Sequence, residues 1–211
     1  MEEVIRKAAS VIAVREGSAA PEVLILERSS ASRFLPGYVV FPGGAADAGA
    51  SELASRWFGS ADEAARACAV RELAEETALL LTRDGLVAGT DLESLDERAP
   101  AVTQLGELAR WIAPEEVPVR FDARYFGVEA GPGLDPTPDG AEVVAGWWIS
   151  PQDLLREWEA GDRRLYWPTW FTVQALAQAR TPRDLLDLRL LTREPDDAEI
   201  ERLPRSVFWQ D

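Results

Sequence analysis

Histidine is absent from this chain of 211 residues, and cysteine occurs once, as Cys68. The absence of histidine excludes an imidazole base, a nucleophile activated by histidine and a zinc ion held by histidines. A single cysteine excludes an internal disulfide bond and a CxxC site. Because Cys68 lies among small residues in a predicted helix, we interpret it as a packing residue.

Basic residues are few as well: 22 lysines and arginines against 37 aspartates and glutamates give a net charge of −15. A chain this acidic repels other polyanions, so we expect neither nucleic acid nor an anionic membrane as a partner. An acidic protein that handles a small phosphate-bearing molecule needs a cation or a local group of arginines. All basic residues except Lys7 are arginines, which can contact a phosphate with two nitrogens at once.

Long apolar runs are missing too. No stretch approaches the roughly 20 apolar residues of a membrane span, and residues 1–7 lack the apolar core of a targeting segment. We therefore expect a soluble, cytoplasmic protein. Hydrophobic residues make up 46% and charged residues 28% of the chain, which is typical of a globular fold, and the length suits one domain over residues 1–211.

Short segments rich in β-branched and apolar residues predict strands. Residues 8–15 and 22–28 are separated by turn residues and predict an antiparallel pair. Residues 120–128 and 141–149 predict two more strands. Helices are predicted from residue 51 to the turn at Gly59, over 60–79, 105–111 and 167–180, and after the caps Ser150 and Thr181. This mixture predicts an α/β or α+β fold in a single domain.

The stretch from residue 60 to 79 combines a helix-start signal with a cluster of carboxylates. At about 100° per residue, Glu72, Glu75 and Glu76 fall within one arc, and apolar or small residues occupy the opposite side. Ser60 and Glu63 have the spacing of a capping box. Since like charges at these spacings repel, a hard divalent cation such as Mg²⁺ would stabilise the arc. The alternative interpretation is a solvated acidic helix face.

The spacing around these glutamates resembles the signature of the Nudix hydrolases. Gly44 comes first, then Glu63, and after seven further residues Arg71-Glu72-Leu73-Ala74-Glu75-Glu76-Thr77. The resemblance extends over about residues 8–180 and implies an αβα sandwich with a mixed sheet, with C-terminal helices over about 151–211. It also implies hydrolysis, dependent on Mg²⁺ or Mn²⁺, of a nucleoside diphosphate linked to another group.

The resemblance implies which groups bind the metal and which residue supports them. The metal ligands would be the carboxylates of Glu72, Glu75 and Glu76 and the carbonyl oxygen of Gly44. Arg71 would pair with Glu63 and steady the loop and helix that carry the ligands. Alternatively, Glu63 serves only in the capping box.

The general base is less determined, because some family members use a glutamate of this helix and others use one from a distant loop. Glu142 follows a loop rich in proline and glycine at 131–140, from which a carboxylate could reach the attacking water. The alternative for Glu142 is an exposed carboxylate at the end of a strand.

An upstream segment resembles the motif of the coenzyme A diphosphatase branch of this family. It runs from Leu24 to Ser29 and on to Phe41-Pro42-Gly43-Gly44, with Leu26 where that motif has threonine. The implied substrate is coenzyme A or an acyl-coenzyme A, cleaved to 3′,5′-ADP and a 4′-phosphopantetheine product. The implied substrate-binding residues are Arg28, Arg33, Gly37, Phe41 and Gly43.

Arg28 and Arg33 would each contact a phosphate group through two guanidinium nitrogens; alternatively, Arg28 forms a salt bridge at the end of its strand.

Two departures from the family pattern stand out. Eighteen residues separate Gly44 from Glu63 where the family signature has five, which indicates an insertion at about 45–60. A similar insertion marks the peroxisomal, coenzyme A-hydrolysing branch of animals. Ala78 replaces the glycine that usually follows the helix.

Two alternatives to a coenzyme A hydrolase stay open. The first is hydrolysis of ADP-ribose, another nucleotide sugar or a dinucleotide; the second is a catalytically silent Nudix-fold protein that binds a nucleotide as a regulator. Trp147, Trp148, Trp167 and Trp170 could stack on an adenine or could belong to the core. The sequence does not fix the oligomeric state, and a homodimer is compatible with it.

Overall fold

The computed structural model describes residues 5–113 and 120–190. Within these residues, a mixed sheet of seven strands forms the centre of the molecule, and two further strands form a separate hairpin. The sheet contains β1 (Arg6–Arg15), β2 (Glu22–Arg28), β3 (Val39–Val40), β4 (Gly43–Ala45), β7 (Gly106–Ile112), β8 (Phe121–Glu129) and β9 (Val143–Ile149). The hairpin consists of β5 (Leu79–Thr82) and β6 (Gly85–Ala88).

Strand β1 is the central strand of the sheet. It pairs in parallel with β8 and antiparallel with β2 and β4, and the sheet follows the order β3-β2-β1-β8-β7. Successive side chains of a strand point to opposite faces. Ile12 and Val14 accordingly join one hydrophobic cluster, and Val11 and Ala13 join another. Both faces of the sheet are therefore covered.

Helices cover the two faces in separate groups. The cluster that contains Val11 also contains side chains of α1 (Ala48–Phe58), α2 (Ala64–Thr77) and the short α3 (Leu95–Arg98). The cluster that contains Ile12 includes α4 (Pro151–Glu159), α5 (Trp167–Leu176) and α6 (Pro182–Asp187). This arrangement confirms the predicted α/β class, with a mixed sheet between two layers of helices.

The prediction of a helix over 105–111 was wrong, because this segment forms the edge strand β7. It pairs antiparallel with β8, and the register shifts between Glu107 and Ala109. This bulge places Leu108 and Ala109 side by side in the same hydrophobic cluster, which breaks the alternation expected of a strand. Trp111 then donates its indole N–H to Thr172 on α5 at 3.0 Å.

The start of the acidic helix also differs from the prediction. The hydroxyl of Ser60 accepts from the amide of Asp62 at 3.2 Å, not from that of Glu63, so the expected capping box is not formed. A turn of 3₁₀ helix over Ala61–Glu63 comes first, and α2 begins at Ala64. At the other end, Ala78 adopts the left-handed conformation (φ 54°) that a glycine would adopt at lower cost.

Most of the 45–60 segment forms α1, which begins at Ala48, after the N-cap Asp47, rather than at residue 51. No helix in residues 5–113 and 120–190 has the length and apolar character needed to cross a membrane. Residues 191–211 of the predicted C-terminal extension lie outside the described part of the chain.

Candidate active site

A cavity of about 570 Å³ opens between α2, the strands β1, β4 and β8, and the start of α5. This volume falls within the range of small-molecule sites. Its acidic and basic wall residues are Arg28, Asp47, Arg71, Glu72, Glu75 and Glu142. Its aromatic wall residues are Phe34, Phe41, Trp111, Phe121, Tyr125, Tyr166 and Trp167. The cavity thus joins a charged region to a region of ring faces.

Two glycines let strand β4 lie close to strand β1 and helix α2 at the charged end of the cavity. A Cβ atom on Gly44 would lie 2.6 Å from Oε2 of Glu72, and one on Gly43 would lie 2.4 Å from the carbonyl oxygen of Ala9. Neither position has room for a side chain. The close approach lets the amide of Gly43 donate to Oε2 of Glu76 at 2.8 Å, and the thiol of Cys68 contacts the carbonyl oxygen of Gly44 at 3.7 Å.

The three glutamates of α2 do not share one environment. Glu72 and Glu75 line the cavity, with 14% and 51% of their side chains exposed. Glu76 is buried at 3% exposure, where it accepts the Gly43 hydrogen bond, and it is not part of the cavity wall. Among the described residues, no group of three histidine, cysteine or acidic side chains is gathered closely enough to hold a metal ion.

Burial and repulsion by neighbouring carboxylates disfavour the charged forms of Glu75 and Glu76. Burial raises the pKa of Glu75, and the neighbouring charge of Glu72 raises it further. Burial raises the pKa of Glu76 to about 8, although the Gly43 amide acts in the opposite direction. A cation bound at this end of the cavity would act in the opposite direction, because a nearby positive charge favours the charged form of a carboxylate. Mg²⁺ usually takes one or two carboxylates and fills its other positions with water and phosphate oxygens, so Glu72 and Glu75 suit it chemically.

Arg71 pairs with three carboxylates of the charged region. Its Nη2 donates to Oε1 of Glu72 at 2.6 Å, and its Nη1 lies 3.1 and 3.2 Å from the two carboxylate oxygens of Asp47. Its Nε lies 3.7 Å from Oε2 of Glu75. The guanidinium thus connects the 45–60 segment to both glutamates that face the cavity.

The expected ion pair between Arg71 and Glu63 is not formed. Glu63 pairs with Arg66 instead, one helical turn away, and Arg66 also donates to the carbonyl oxygen of Leu105 at 3.0 Å. Arg71 lies eight residues beyond Glu63, which corresponds to about 12 Å along a helix. Glu63 is therefore a structural partner of Arg66, and it is not part of the cavity wall.

Asp47 takes the place beside Arg71 that the sequence analysis assigned to Glu63. Its Oδ1 also accepts from the amide of Ala50 at 3.1 Å and caps α1. Arg71 is the main reason that the pKa of Asp47 lies below its ordinary value. The sequence contains one signal for this residue: an aspartate that directly precedes a helix is a preferred N-cap.

Arg28 reaches the cavity from the end of β2. Its Nε donates to the carbonyl oxygen of Phe34 at 3.0 Å, which ties the 29–37 loop to the strand. Among the described residues Arg28 has no carboxylate within ion-pair distance, so the strand-end salt bridge considered as its rival role is not formed there. Arg33 and Gly37 belong to the same loop but lie outside the cavity wall, and Arg33 is exposed.

Glu142 belongs to the wall of the cavity that also contains Glu72 and Glu75. Its amide donates to Oδ1 of Asp139 at 3.1 Å, and its carbonyl oxygen accepts from the amide of Ser29 at 2.9 Å. These backbone bonds fix the Glu142 backbone next to the end of β2, while its side chain is exposed to solvent and the cavity.

Of the four tryptophans considered for adenine stacking, only Trp167 lines the cavity. Guanidinium groups of Arg163 and Arg15 cover Trp147 and Trp148, each at 4.5 Å from the ring centroid. Trp170 packs in the core against Trp158 and Phe171. The indole N–H of Trp167 is buried at the cavity wall, without a hydrogen-bond acceptor among the described residues.

Comparisons with known proteins point to one family. The family model described as “NUDIX domain” matches residues 4–171. A curated Caenorhabditis elegans protein named “Putative nudix hydrolase 7” is 28% identical over 193 residues, covering 83% of this chain but only 61% of that protein. The crystal structure of a NUDIX hydrolase from Alicyclobacillus acidocaldarius matches with a TM-score of 0.78 at 31% identity, covering 90% of this chain and 99% of that one. The chain therefore belongs to the NUDIX domain family.

Proposed function

We propose that the protein is a metal-dependent hydrolase that cleaves the diphosphate bond of a nucleoside diphosphate linked to another group. One observation carries this proposal: Glu72, Glu75 and Arg28 face the same cavity, and that cavity continues into a space lined by aromatic rings. Carboxylates suit a hard cation, arginine suits a phosphate, and ring faces suit a nucleobase.

The metal would be held by Glu72 and Glu75 at the charged end of the cavity. Nudix hydrolases generally use divalent metal ions, and we propose Mg²⁺ or Mn²⁺ here. The carbonyl oxygen of Gly44 and the carboxylate of Glu76 remain proposed ligands, although Oε2 of Glu76 already accepts from the Gly43 amide. When bound, the ion would neutralise diphosphate charge and lower the pKa of a water molecule.

The side chains around this region have separate roles in the proposal. Arg28 would contact the diphosphate through its Nη groups, which have no hydrogen-bond partner among the described residues, while its Nε donates to Phe34. Glu142 would accept the proton of the attacking water, since it faces the cavity and its backbone is fixed. Arg71 would hold Glu72 in place.

Coenzyme A or an acyl-coenzyme A is the substrate that we propose within this class. The motif that includes Arg28, Phe41 and Gly43 supports it, because these residues all line the cavity. Arg33 is exposed on the neighbouring loop, without an ion-pair partner among the described residues, and would be available to the 3′-phosphate. Hydrolysis of coenzyme A by one water molecule yields 3′,5′-ADP and 4′-phosphopantetheine.

The test compares coenzyme A, 3′-dephospho-coenzyme A, ADP-ribose and a diadenosine polyphosphate as substrates in Mg²⁺ or Mn²⁺, with products identified by mass spectrometry. We expect the highest kcat/KM for coenzyme A or its esters. We also expect Arg28→Ala to lower kcat/KM about 10- to 100-fold on every substrate, because each contains a diphosphate. Arg163→Ala is the matched control, because Arg163 lies on a tryptophan outside the cavity.

Three results would contradict parts of this proposal. Absence of turnover on all four substrates would favour a silent nucleotide-binding protein. A preference for ADP-ribose would remove the coenzyme A assignment and leave the reaction type. Equal activity of the Arg28 and Arg163 variants would exclude Arg28 from the diphosphate site.

A further inference from the structure

We propose that Asp47 is a positioning residue, which holds Arg71 away from full contact with the cavity carboxylates and thereby keeps them open to a cation. This inference rests on the proposed function. It adds a role for the 45–60 segment, because Asp47 is a charged residue of that segment that lines the cavity and pairs with Arg71.

The guanidinium of Arg71 is shared between two directions. One terminal nitrogen donates to Glu72 on α2, and the other faces both oxygens of Asp47. Glu75 lies farther from Arg71, at 3.7 Å from its Nε. Without the charge of Asp47, Arg71 would be drawn to Glu72 and Glu75 alone, where it would compete with a metal ion for the same oxygens.

Asp47 is itself held by a second set of contacts. Its Oδ1 accepts from Ala50, so the carboxylate is fixed to the first turn of α1. Helix α1 in turn packs on α2 through the buried small residues Ala50 and Ala54. At its far end, Arg56 pairs with Asp96 and Trp57 donates to the same aspartate at 3.2 Å. The position of the Asp47 carboxylate therefore follows from its cap contact with Ala50 and from the packing of α1 on α2, whereas the Asp96 contacts lie at the opposite end of the helix.

Glu63, which the sequence analysis placed beside Arg71, cannot readily replace Asp47. Its carboxylate already pairs with Arg66. Within the described residues, the ion-pair partners of Arg71 are Asp47, Glu72 and Glu75, and of these only Asp47 lies outside α2. Removing its charge leaves Arg71 without a partner that draws it away from the cavity glutamates.

The substitution Asp47→Asn removes the negative charge of Asp47 but keeps a side chain that can cap α1. Asparagine is as good an N-cap as aspartate, so α1 should form as before, but the attraction to Arg71 is lost. The matched control is Asp96→Asn, which removes the other aspartate–arginine pair of α1 and lies outside the cavity wall. Both variants are compared with the wild type for thermal unfolding, Mn²⁺ affinity by electron paramagnetic resonance, and turnover.

We expect Asp47→Asn to weaken Mn²⁺ binding about 10-fold and to lower kcat/KM by a similar factor, because supporting partners of metal ligands have effects of this size. Asp96→Asn should leave both quantities at the wild-type level, and the two variants should unfold at similar temperatures. Equal Mn²⁺ affinity for Asp47→Asn, Asp96→Asn and the wild type would overturn the inference. The inference would also be overturned if Asp47→Asn lost Mn²⁺ affinity only to the extent that the variant protein is unfolded.

Failure of the proposed function gives a different pattern. If the wild type binds Mn²⁺ but hydrolyses none of the nucleotides, the substrate proposal fails and the Mn²⁺ comparison still decides the role of Asp47. If the wild type binds no Mn²⁺, the metal proposal fails, and solvent exchange of the Arg71 Nε proton, measured by ¹⁵N nuclear magnetic resonance, still tests whether Asp47 positions Arg71. Slower exchange in Asp47→Asn than in the wild type and Asp96→Asn supports the inference, because the Nε proton would then be bonded to Glu75, and equal exchange overturns it.

Discussion

Glu72→Gln should lower kcat by about 10³-fold while leaving the protein folded. Glutamine has nearly the same size and still offers an oxygen to Nη2 of Arg71, so the bond that now measures 2.6 Å can persist. What disappears is a negative charge at the cavity wall, where a cation is proposed to bind. The measurement is steady-state turnover in Mg²⁺, with circular dichroism to verify the fold.

Glu107→Gln is the control for this substitution. Glu107 also pairs with an arginine, Arg124 on the neighbouring strand, but lies outside the cavity wall. The same chemical change should therefore leave turnover within about 2-fold of the wild type, since surface ion pairs contribute little. Similar kcat values for the Glu72 and Glu107 variants would show that the charge of Glu72 has no part in the reaction.

Gly44→Ala should reduce kcat/KM by about 100-fold or more, although it adds a single methyl group. The new Cβ would lie 2.6, 2.7 and 2.9 Å from the three atoms of the Glu72 carboxylate. The carboxylate would have to move and would lose its present position beside Arg71. Displacements of about 1 Å in an active site can reduce rates by this amount.

Gly131→Ala is the matched control, because a Cβ at Gly131 would meet no atom within 4 Å. It should retain wild-type kinetics and thermal stability. If Gly44→Ala were as active as Gly131→Ala, the close approach of β4 to Glu72 would have no bearing on activity. A large loss of stability in Gly44→Ala would be visible by calorimetry and would be separated from a kinetic effect in that way.

The regular elements could be predicted where local composition, turn residues or caps mark them. The β-branched and apolar residues of β1, the turn before β2 and the caps Ser150 and Thr181 all predicted elements that the structure contains. The strand β7 was missed because the bulge at Glu107–Ala109 hides its period. A period is a local property, and a bulge depends on pairing with β8, which the sequence of the segment alone does not show.

The charged end of the cavity could be predicted only in part. Helical spacing placed three glutamates on one arc, but it could not show that Glu76 turns inward to the amide of Gly43, which is 33 residues away. The partner of Arg71 was assigned wrongly for the same reason. Asp47 reaches Arg71 because α1 packs on α2, and no motif spacing encodes that contact.

The aromatic end of the cavity depends still more on tertiary structure. Its rings come from the 29–37 loop, from Phe41 between β3 and β4, from β7 and β8 and from the start of α5, and several of these segments are far apart in the sequence. Trp147 and Trp148 are adjacent and conspicuous, yet they lie under Arg163 and Arg15. Trp167 faces the cavity because it begins the helix α5 at its edge.

Anomalous diffraction from crystals soaked in Mn²⁺ tests most directly whether the carboxylates of this cavity hold a cation. We predict a manganese peak beside the side chains of Glu72 and Glu75 in the wild type, and its loss in Glu72→Gln. A wild-type structure with full diffraction quality but no peak in the cavity, or with its only peak elsewhere on the acidic surface, would contradict the proposed metal site.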